Sequence, residues 1–138
     1  MIWPITFNDR LTSWNQLRDQ TQQLPINSAL EKINQWWFHA PWCPYYLHWD
    51  DQHLWPDPWQ LLSDDVYCEL ARGLGILYTI TLLDRADMAD AGLVLTEDGS
   101  NLVQVAKEKY ILNWNKDSIV NNKPKVKTIR KLKQHQIK

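Results

Sequence analysis

Cys68 is the side chain in this sequence best placed to do covalent chemistry. It stands at the start of a predicted helix, with Asp64 and Asp65 ahead of it and predicted strands after it. A cysteine nucleophile needs a histidine to take its proton and a further side chain to orient that histidine. The only histidine after Cys68 is His135, close to the C-terminus. Without such a base a cysteine behaves as a small hydrophobic residue, so we expect a buried core thiol.

Three histidines and a second cysteine lie upstream in the pattern H-x3-C-x4-H-x4-H. They are His39, Cys43, His48 and His53. Any of these histidines could approach Cys68 in the folded chain, and the four residues are of types that bind zinc. Structural zinc sites favour a close pair such as C-x2-C, which the chain lacks. Packing of the imidazoles is therefore the favoured interpretation, and no metal site is predicted.

Paired carboxylates stand at residues 50–51 and 64–65. Such pairs can serve acid–base or metal chemistry, but adjacent acids in a loop or at a helix start are more often solvated. The sequence has no P-loop, no G-x-G-x-x-G and no G-x-S-x-G motif. With four glycines in all, it offers no glycine-rich loop for a phosphate. We therefore predict no cofactor and lean against an enzyme.

Nine tryptophans in 138 residues are the strongest signal for another kind of function. Seven of them lie between residues 14 and 59. A cluster this dense indicates either an aromatic core or a surface that another molecule covers. We expect an interaction or structural protein whose aromatic side chains contact a partner. The candidates are Trp42, Tyr45, Tyr46, Trp49, Trp55 and Trp59.

The charges divide the chain into an acidic body and a basic tail. Residues 1–114 hold seven Lys or Arg and fifteen Asp or Glu, whereas residues 115–138 hold eight basic residues and one acid. We predict one domain over 1–114 and a tail over 115–138. The tail is either solvated or docked on an acidic protein surface. Its candidate binding residues are Lys123, Lys125, Lys127, Arg130, Lys131 and Lys133.

Nucleic acid could meet only this tail, because residues 36–59 contain acids and no Lys or Arg. The tail is expected to be extended, or to form a short amphipathic helix once a partner is present. The apolar residues of that helix would be Val126, Ile129, Leu132 and Ile137. Removal of residues 116–138 should then leave the domain folded.

The composition favours synthesis in a reducing, intracellular compartment. Two cysteines are too few for a disulfide framework, and the first residues do not have the form of a secretory signal. No apolar run reaches the length that spans a bilayer. No membrane partner is predicted.

Helical spacing of apolar residues predicts two helices in the first forty residues. The first covers 9–24, and the second begins near residue 26 with a capping box formed by Ser28 and Glu31. Residues 38–62 are rich in proline and tryptophan and predict a long irregular segment.

A third helix is predicted to begin near Ser63–Asp65, and the glycines at 73 and 75 are predicted to end it. A strand is predicted to follow over 76–83. The turn signal at 97–100 predicts a hairpin. The remaining strands are predicted over 92–96, 101–106 and 109–114. Helices followed by a small antiparallel sheet place the chain in the α+β class.

Five short stretches resemble the transglutaminase-like cysteine proteases. They are WPDPWQLL (55–62), YCELA (67–71), GLGI (73–76), AGLVL (91–95) and YILNW (110–114). The resemblance implies a transglutaminase-like scaffold with Cys68 as nucleophile, a histidine at 90–91 and an aspartate at 113. The sequence has Asp90, Ala91 and Asn113 there, so the scaffold would be degenerate. A cysteine hydrolase of peptide or amide bonds that uses Cys68 is the alternative function.

A longer resemblance covers most of the chain. It rests on the pattern SW-x2-LR (13–18) and on INQWWFHAPW (33–42), PYYLHWDD (44–51), WPDPWQLL (55–62) and YCELARGLGILYTI (67–80). These stretches resemble small proteins of contractile-tailed, myovirus-type phages. The resemblance implies a virion component of the neck, tail or baseplate, made in the host cytoplasm. Its partners would be other virion proteins or copies of itself.

Overall fold

Helices precede an antiparallel sheet in the computed structural model, which describes residues 2–106, 109–114 and 127–137. The protein is α+β, as the sequence predicts. The helices are α1 (Phe7–Gln22), α2 (Ile26–Phe38), α3 (Pro58–Leu62) and α4 (Glu69–Leu83). The strands are β1 (Gly92–Thr96), β2 (Asn101–Val105), β3 (Tyr110–Leu112) and β4 (Thr128–Lys133). Short 3-10 helices cover Trp49–Leu54, Ala86–Met88 and Gln134–Gln136.

The starts of α1 and α2 differ in how the free backbone N–H groups are satisfied. The Thr6 hydroxyl caps α1 by accepting a hydrogen bond from the Asp9 N–H at 3.1 Å. Pro25 precedes α2 without a side-chain cap, and its carbonyl accepts the Ala29 N–H at 2.9 Å. The predicted capping box at Ser28 is therefore wrong, because the helix begins at Ile26 and Ser28 already lies in its first turn.

Helix α4 is the centre of the molecule and corrects two predictions. Residues 76–83, predicted as a strand, form its C-terminal half, and Gly73 and Gly75 lie inside it. The preceding helical turn is α3, so residues 63–65 connect two helices and do not start one. Helices α1, α2 and α3 pack on one side of α4, and β1 and β2 pack on the other. A segment buried on all sides has a continuous apolar sequence, from which helix and strand are not distinguishable.

The strands form one sheet in the order β3-β2-β1-β4, with every pairing antiparallel. The predicted hairpin is confirmed, and Gly99 takes φ +88° in its turn. Leu93, Val103 and Leu112 lie side by side in register on the face toward α4. The opposite face carries a second buried cluster, Val94, Leu102 and Ile111.

Residues 128–133, which the charge pattern assigns to the tail, are the edge strand β4. Of the two forms expected for the tail, the extended one is present in these residues. Leu132 pairs with Leu93 and packs against the core, whereas Lys131 and Lys133 alternate onto the other face. Val126 lies outside the described residues. Within the described ranges, no helix combines the length and apolar character needed to cross a bilayer.

Candidate docking surface

The segment between α2 and α3 is held in place by its own tryptophans. Trp49 Nε1 donates to Asn101 Oδ1 at 2.7 Å, and Trp55 Nε1 donates to the His48 carbonyl at 2.8 Å. The two indole rings also meet edge to face, with centroids 5.7 Å apart. Trp49 is 8% exposed and Trp55 is partly buried. These two predicted partner contacts therefore pack within the chain.

The start of the same segment pairs with the approach to α4. Tyr67 N–H donates to the Pro41 carbonyl at 2.7 Å, and Cys43 N–H donates to the Tyr67 carbonyl at 3.0 Å. The buried Tyr67 hydroxyl donates to the Leu61 carbonyl at 2.6 Å. These bonds fix the backbone on both sides of Trp42.

Three other predicted residues are exposed in the same segment. Trp42 is 61% exposed, Tyr45 is 65% exposed and Tyr46 is 36% exposed. Val66, also exposed, precedes the residue that pairs with Trp42. We call Trp42, Tyr45, Tyr46 and Val66 the aromatic patch. Trp59 is exposed on α3, where its ring meets Trp14 edge-on at 6.5 Å.

The carboxylate of Asp64 gives the aromatic patch an acidic border. Tyr46 OH donates to Asp64 Oδ2 at 2.9 Å. Burial raises the pKa of Asp64, while the Tyr46 hydroxyl acts in the opposite direction and nearby Asp65 adds to the rise. Burial and the same carboxylate raise the pKa of Tyr46. The bonded pair holds the Tyr46 ring in one position at the surface.

A groove of about 470 Å³ continues from the aromatic patch toward the sheet. Tyr45 and His48 line it on one side and are joined by a 2.7 Å hydrogen bond between the phenol oxygen and Nδ1. Leu70 and Leu95 line its apolar part, and Ile129 of β4 is exposed within it. We call this space the hairpin groove.

An ion pair separates the hairpin groove from a second depression. Arg130 Nη2 lies 2.7 Å from Asp50 Oδ1, and both residues line the two spaces. The second depression, of about 450 Å³, is lined further by Gln52 and Leu132. Sequence reasoning missed that β4 contributes to the groove. The alternation of charged and apolar residues in TIRKLK (128–133) is the signal that could have shown it.

Three of the predicted basic residues meet acids of their own chain. Besides the Arg130–Asp50 pair, Lys127 Nζ lies 4.0 Å from Glu97 and Lys133 Nζ lies 3.8 Å from Asp90. Lys131 is exposed on β4. Lys123 and Lys125 lie outside the described residues.

Cys68 does not face an open cleft, since it is 1% exposed in the core at the N-cap of α4. In the described part of the chain, no hydrogen bond joins a histidine ring to this thiol. Asp90, at the position where the resemblance implies a histidine, pairs with Lys133.

Asn113 stands where the resemblance implies an aspartate, and its side chain holds parts of the fold together. Its Nδ2 donates to the carbonyls of Glu69 at 3.0 Å and Asn101 at 2.7 Å. Its Oδ1 accepts from Arg72 Nε at 2.6 Å. The amide thereby ties the start of α4 to β2 and orients no catalytic base.

Two of the upstream histidines, His39 and His48, make local hydrogen bonds. His39 Nδ1 lies 2.7 Å from the Gln35 carbonyl, one turn back in α2. His48 bonds to Tyr45. Across residues 2–106, 109–114 and 127–137, no three His, Cys, Asp or Glu side chains are grouped so that they could hold a metal ion. The structure therefore does not gather His39, Cys43, His48 and His53 into a site.

The chain matches no known protein-family model, no curated protein and no solved structure.

Proposed function

We propose that this protein is a non-catalytic interaction protein, a virion component of a phage neck, tail or baseplate. It docks on neighbouring virion proteins or on copies of itself through the aromatic patch. The observation that carries the proposal is the exposure of two rings, set against the burial of Cys68. Trp42 stands on backbone that pairs with Tyr67, and the Tyr45 hydroxyl is hydrogen-bonded to the His48 ring.

Rigid aromatic side chains are the residues that dominate binding energy at protein interfaces. Tyr and Trp present large contact areas and lose few rotatable bonds when they bind. Here the backbone around Trp42 is fixed by its pairing with Tyr67, and the Tyr46 ring is fixed by Asp64. The ordering cost of association is therefore reduced before the partner arrives.

The charges beside the aromatic patch favour a protein partner over nucleic acid. Asp64 borders the patch and Asp50 borders the hairpin groove, where its ion pair occupies Arg130. Phosphates would be repelled by these carboxylates. The apolar lining of the groove, with Leu95 and Ile129, suits an aliphatic or aromatic side chain of a partner.

The basic residues in β4 and just before it also belong to the proposal. Lys127, Arg130 and Lys133 are ion-paired, but each side chain remains about half exposed or more. They can therefore contact an acidic surface of a neighbour while they neutralise acids of their own chain. Docking through the tail remains our proposal for Lys123 and Lys125 as well.

The test is incorporation into particles of the phage whose genome encodes the chain. The amount of protein per purified particle is measured by quantitative mass spectrometry for the wild type and for a Trp42→Ala/Tyr45→Ala variant. We expect the wild type to be a stoichiometric component and the variant to be reduced tenfold or more. Trp114→Ala is the matched control, since Trp114 is exposed at the end of β3 and outside the aromatic patch.

Two results would contradict the proposal in different ways. Absence of the wild-type chain from particles would refute the assignment to the virion. Equal incorporation of the double variant and the Trp114→Ala control would refute docking through the aromatic patch. Far-ultraviolet circular dichroism of each purified variant establishes that the fold is intact.

A further inference from the structure

The two cysteines of the chain lie on neighbouring, paired backbone segments. Trp42 and Tyr67 form a parallel β-bridge, defined by the bonds from Tyr67 N–H to the Pro41 carbonyl and from Cys43 N–H to the Tyr67 carbonyl. The next residue on one segment is Cys43 and the next residue on the other is Cys68. Both are free thiols in the structure.

Parallel pairing brings these two residues side by side. Adjacent paired segments lie about 4.8 Å apart, and residues at equivalent positions project to the same face. A disulfide requires Cα atoms separated by about 4.4–6.8 Å. Both side chains also pack against the same apolar core, Cys68 inside it and Cys43 at its edge. Continued by one residue, the register of the bridge predicts that the Cα atoms of Cys43 and Cys68 fall within this range.

We propose that Cys43 and Cys68 are a redox-active pair that closes to an intramolecular disulfide when a small-molecule disulfide acts as oxidant. The inference does not rest on the proposed docking function. It assigns both thiols a chemistry that requires neither a histidine base nor an open active-site cleft.

The exposures of the two residues fix the order of the steps. Cys43 is partly exposed, so its thiolate attacks the external disulfide and releases one thiol. Cys68, which is 1% exposed, then attacks the Cys43 sulfur from within the protein and releases the second thiol. Two protein thiols lose two protons and two electrons, and the external disulfide is reduced to two thiols.

The surroundings of Cys43 predict that closure is slow at neutral pH. Burial, the nearby Cys68 and the Asp64 carboxylate raise the pKa of Cys43, while a backbone hydrogen bond acts in the opposite direction. Because the thiolate is the attacking form, the rate should increase with pH.

The closed ring would contain Tyr45 and Tyr46 together with the 3-10 helix and α3. It would tie the segment that carries the aromatic patch covalently to the N-cap of α4. The site is therefore a modification site that restrains the exposed surface of the protein.

The experiment incubates the full chain, natively folded, with glutathione disulfide at pH 7 and pH 8.5. Remaining thiols are then alkylated and the intact mass is measured. We expect a product lighter by two hydrogen atoms, with neither glutathione nor alkyl groups attached, that forms at least fivefold faster at pH 8.5. Trypsin leaves both cysteines in peptide 33–72, and cleavage before aspartate then releases fragments 33–49 and 65–72, which stay joined only by the disulfide.

Cys43→Ala and Cys68→Ala are the matched controls. Cys68→Ala should accumulate one glutathione at Cys43, whereas Cys43→Ala should resist modification until it is denatured. The proposal is overturned if the wild type accumulates the glutathione adduct, forms a disulfide-linked dimer or stays reduced at pH 8.5. The wild-type result decides this even if a variant does not fold.

Discussion

At the scale of single residues, Thr79 shows how the chain accommodates large indoles in its core. The Thr79 hydroxyl accepts hydrogen bonds from Trp14 Nε1 at 2.9 Å and Trp37 Nε1 at 3.0 Å. It donates its proton to the Gly75 carbonyl at 2.8 Å. A hydroxyl has one proton and two lone pairs, so Thr79 is saturated. All three side chains are fully buried, and one oxygen satisfies both indoles.

Replacing Thr79 by valine should destabilise the protein strongly. The Thr79→Val side chain has nearly the same shape but leaves two buried N–H groups without an acceptor, at a cost of about 2–4 kcal/mol. Thr79→Ser keeps the oxygen and should lose about 1 kcal/mol for its missing methyl group. Urea unfolding measures both free energies. Equal losses in the two variants would show that the shared acceptor is not what stabilises the indoles.

Buried tyrosine hydroxyls predict a loss of stability at alkaline pH. Burial raises the pKa of Tyr67, whose hydroxyl bonds the Leu61 carbonyl, and raises the pKa of Tyr78 to about 12. A pKa raised in the folded state adds stability that is complete below the unfolded value, 10.0, and is lost as pH rises above it. The free energy of unfolding should therefore fall with pH from about pH 10 upward.

The Tyr67→Phe variant tests this assignment. It should be less stable by about 0.5–1.5 kcal/mol at pH 7, because the Leu61 carbonyl loses the Tyr67 hydrogen bond but keeps the one from the Asp64 N–H at 3.1 Å. Above pH 10 its free energy of unfolding should fall less steeply than that of the wild type. Urea titrations between pH 8 and pH 11 give both slopes, and parallel curves would rule out Tyr67 as a source of the alkaline loss.

At the scale of elements, the close packing of α4 against α2 depends on a glycine, Gly75. A Cβ atom at Gly75 would stand 2.6 Å from the atoms of the Trp37 ring. The missing side chain thus lets α2 and α4 approach closely around that indole. Glycine is a common signal for a helix end, but here it marks a close contact between two helices. The sequence could not distinguish these roles, since the ring belongs to a residue thirty-eight positions away.

Alanine at Gly75 and at Gly73 should therefore have different effects. Gly75→Ala forces the Trp37 ring to move and should cost about 1–3 kcal/mol. At Gly73 the nearest atom is a methyl carbon of Leu93 at 3.0 Å, at the end of a flexible side chain. Gly73→Ala should change stability by less than about 1 kcal/mol, because higher helix propensity offsets the crowding. Thermal and urea unfolding compare the two, and a larger loss at Gly73 would contradict this account of α4.

At the scale of the whole molecule, β4 makes the C-terminal residues part of the fold. It pairs with β1, which would otherwise be an edge strand, and Leu132 packs against the core. Gln134 N–H continues the ladder by donating to the Ala91 carbonyl at 3.0 Å. A sheet that lacked β4 would expose one side of β1 to solvent.

Deletion of residues 127–138 should therefore destabilise the domain and not merely remove a tail. Loss of the β1–β4 hydrogen bonds and of Leu132 burial should lower the free energy of unfolding by more than about 3 kcal/mol. The control Lys127→Gln/Lys133→Gln keeps the strand and removes two exposed ion pairs, worth less than about 1 kcal/mol each. Urea unfolding measures both. A truncated chain as stable as the wild type would support the separate tail that the charge pattern predicts.

The features that sequence alone determined are those with local causes. The helical spacing around residues 9–22 and 26–38, and the turn residues at 97–100, act over a few neighbouring positions. These local patterns predicted that helices precede the strands and that residues 97–100 form the turn of a hairpin. The proline-rich segment was predicted as irregular over 38–62, but a 3-10 helix (Trp49–Leu54) and α3 (Pro58–Leu62) lie within it. Its aromatic content left two alternatives open, an aromatic core and a surface that a partner covers.

Tertiary contacts alone decided which aromatic rings face solvent. Trp49 is buried with its N–H hydrogen-bonded to Asn101, whereas Trp42 is exposed although its backbone pairs with Tyr67. Residues 76–83 continue α4, with most of their side chains buried against other elements, and residues 128–133 are a strand because they pair with the edge of β1. Each outcome depends on a contact with a residue distant in the sequence. Composition and periodicity do not predict such contacts.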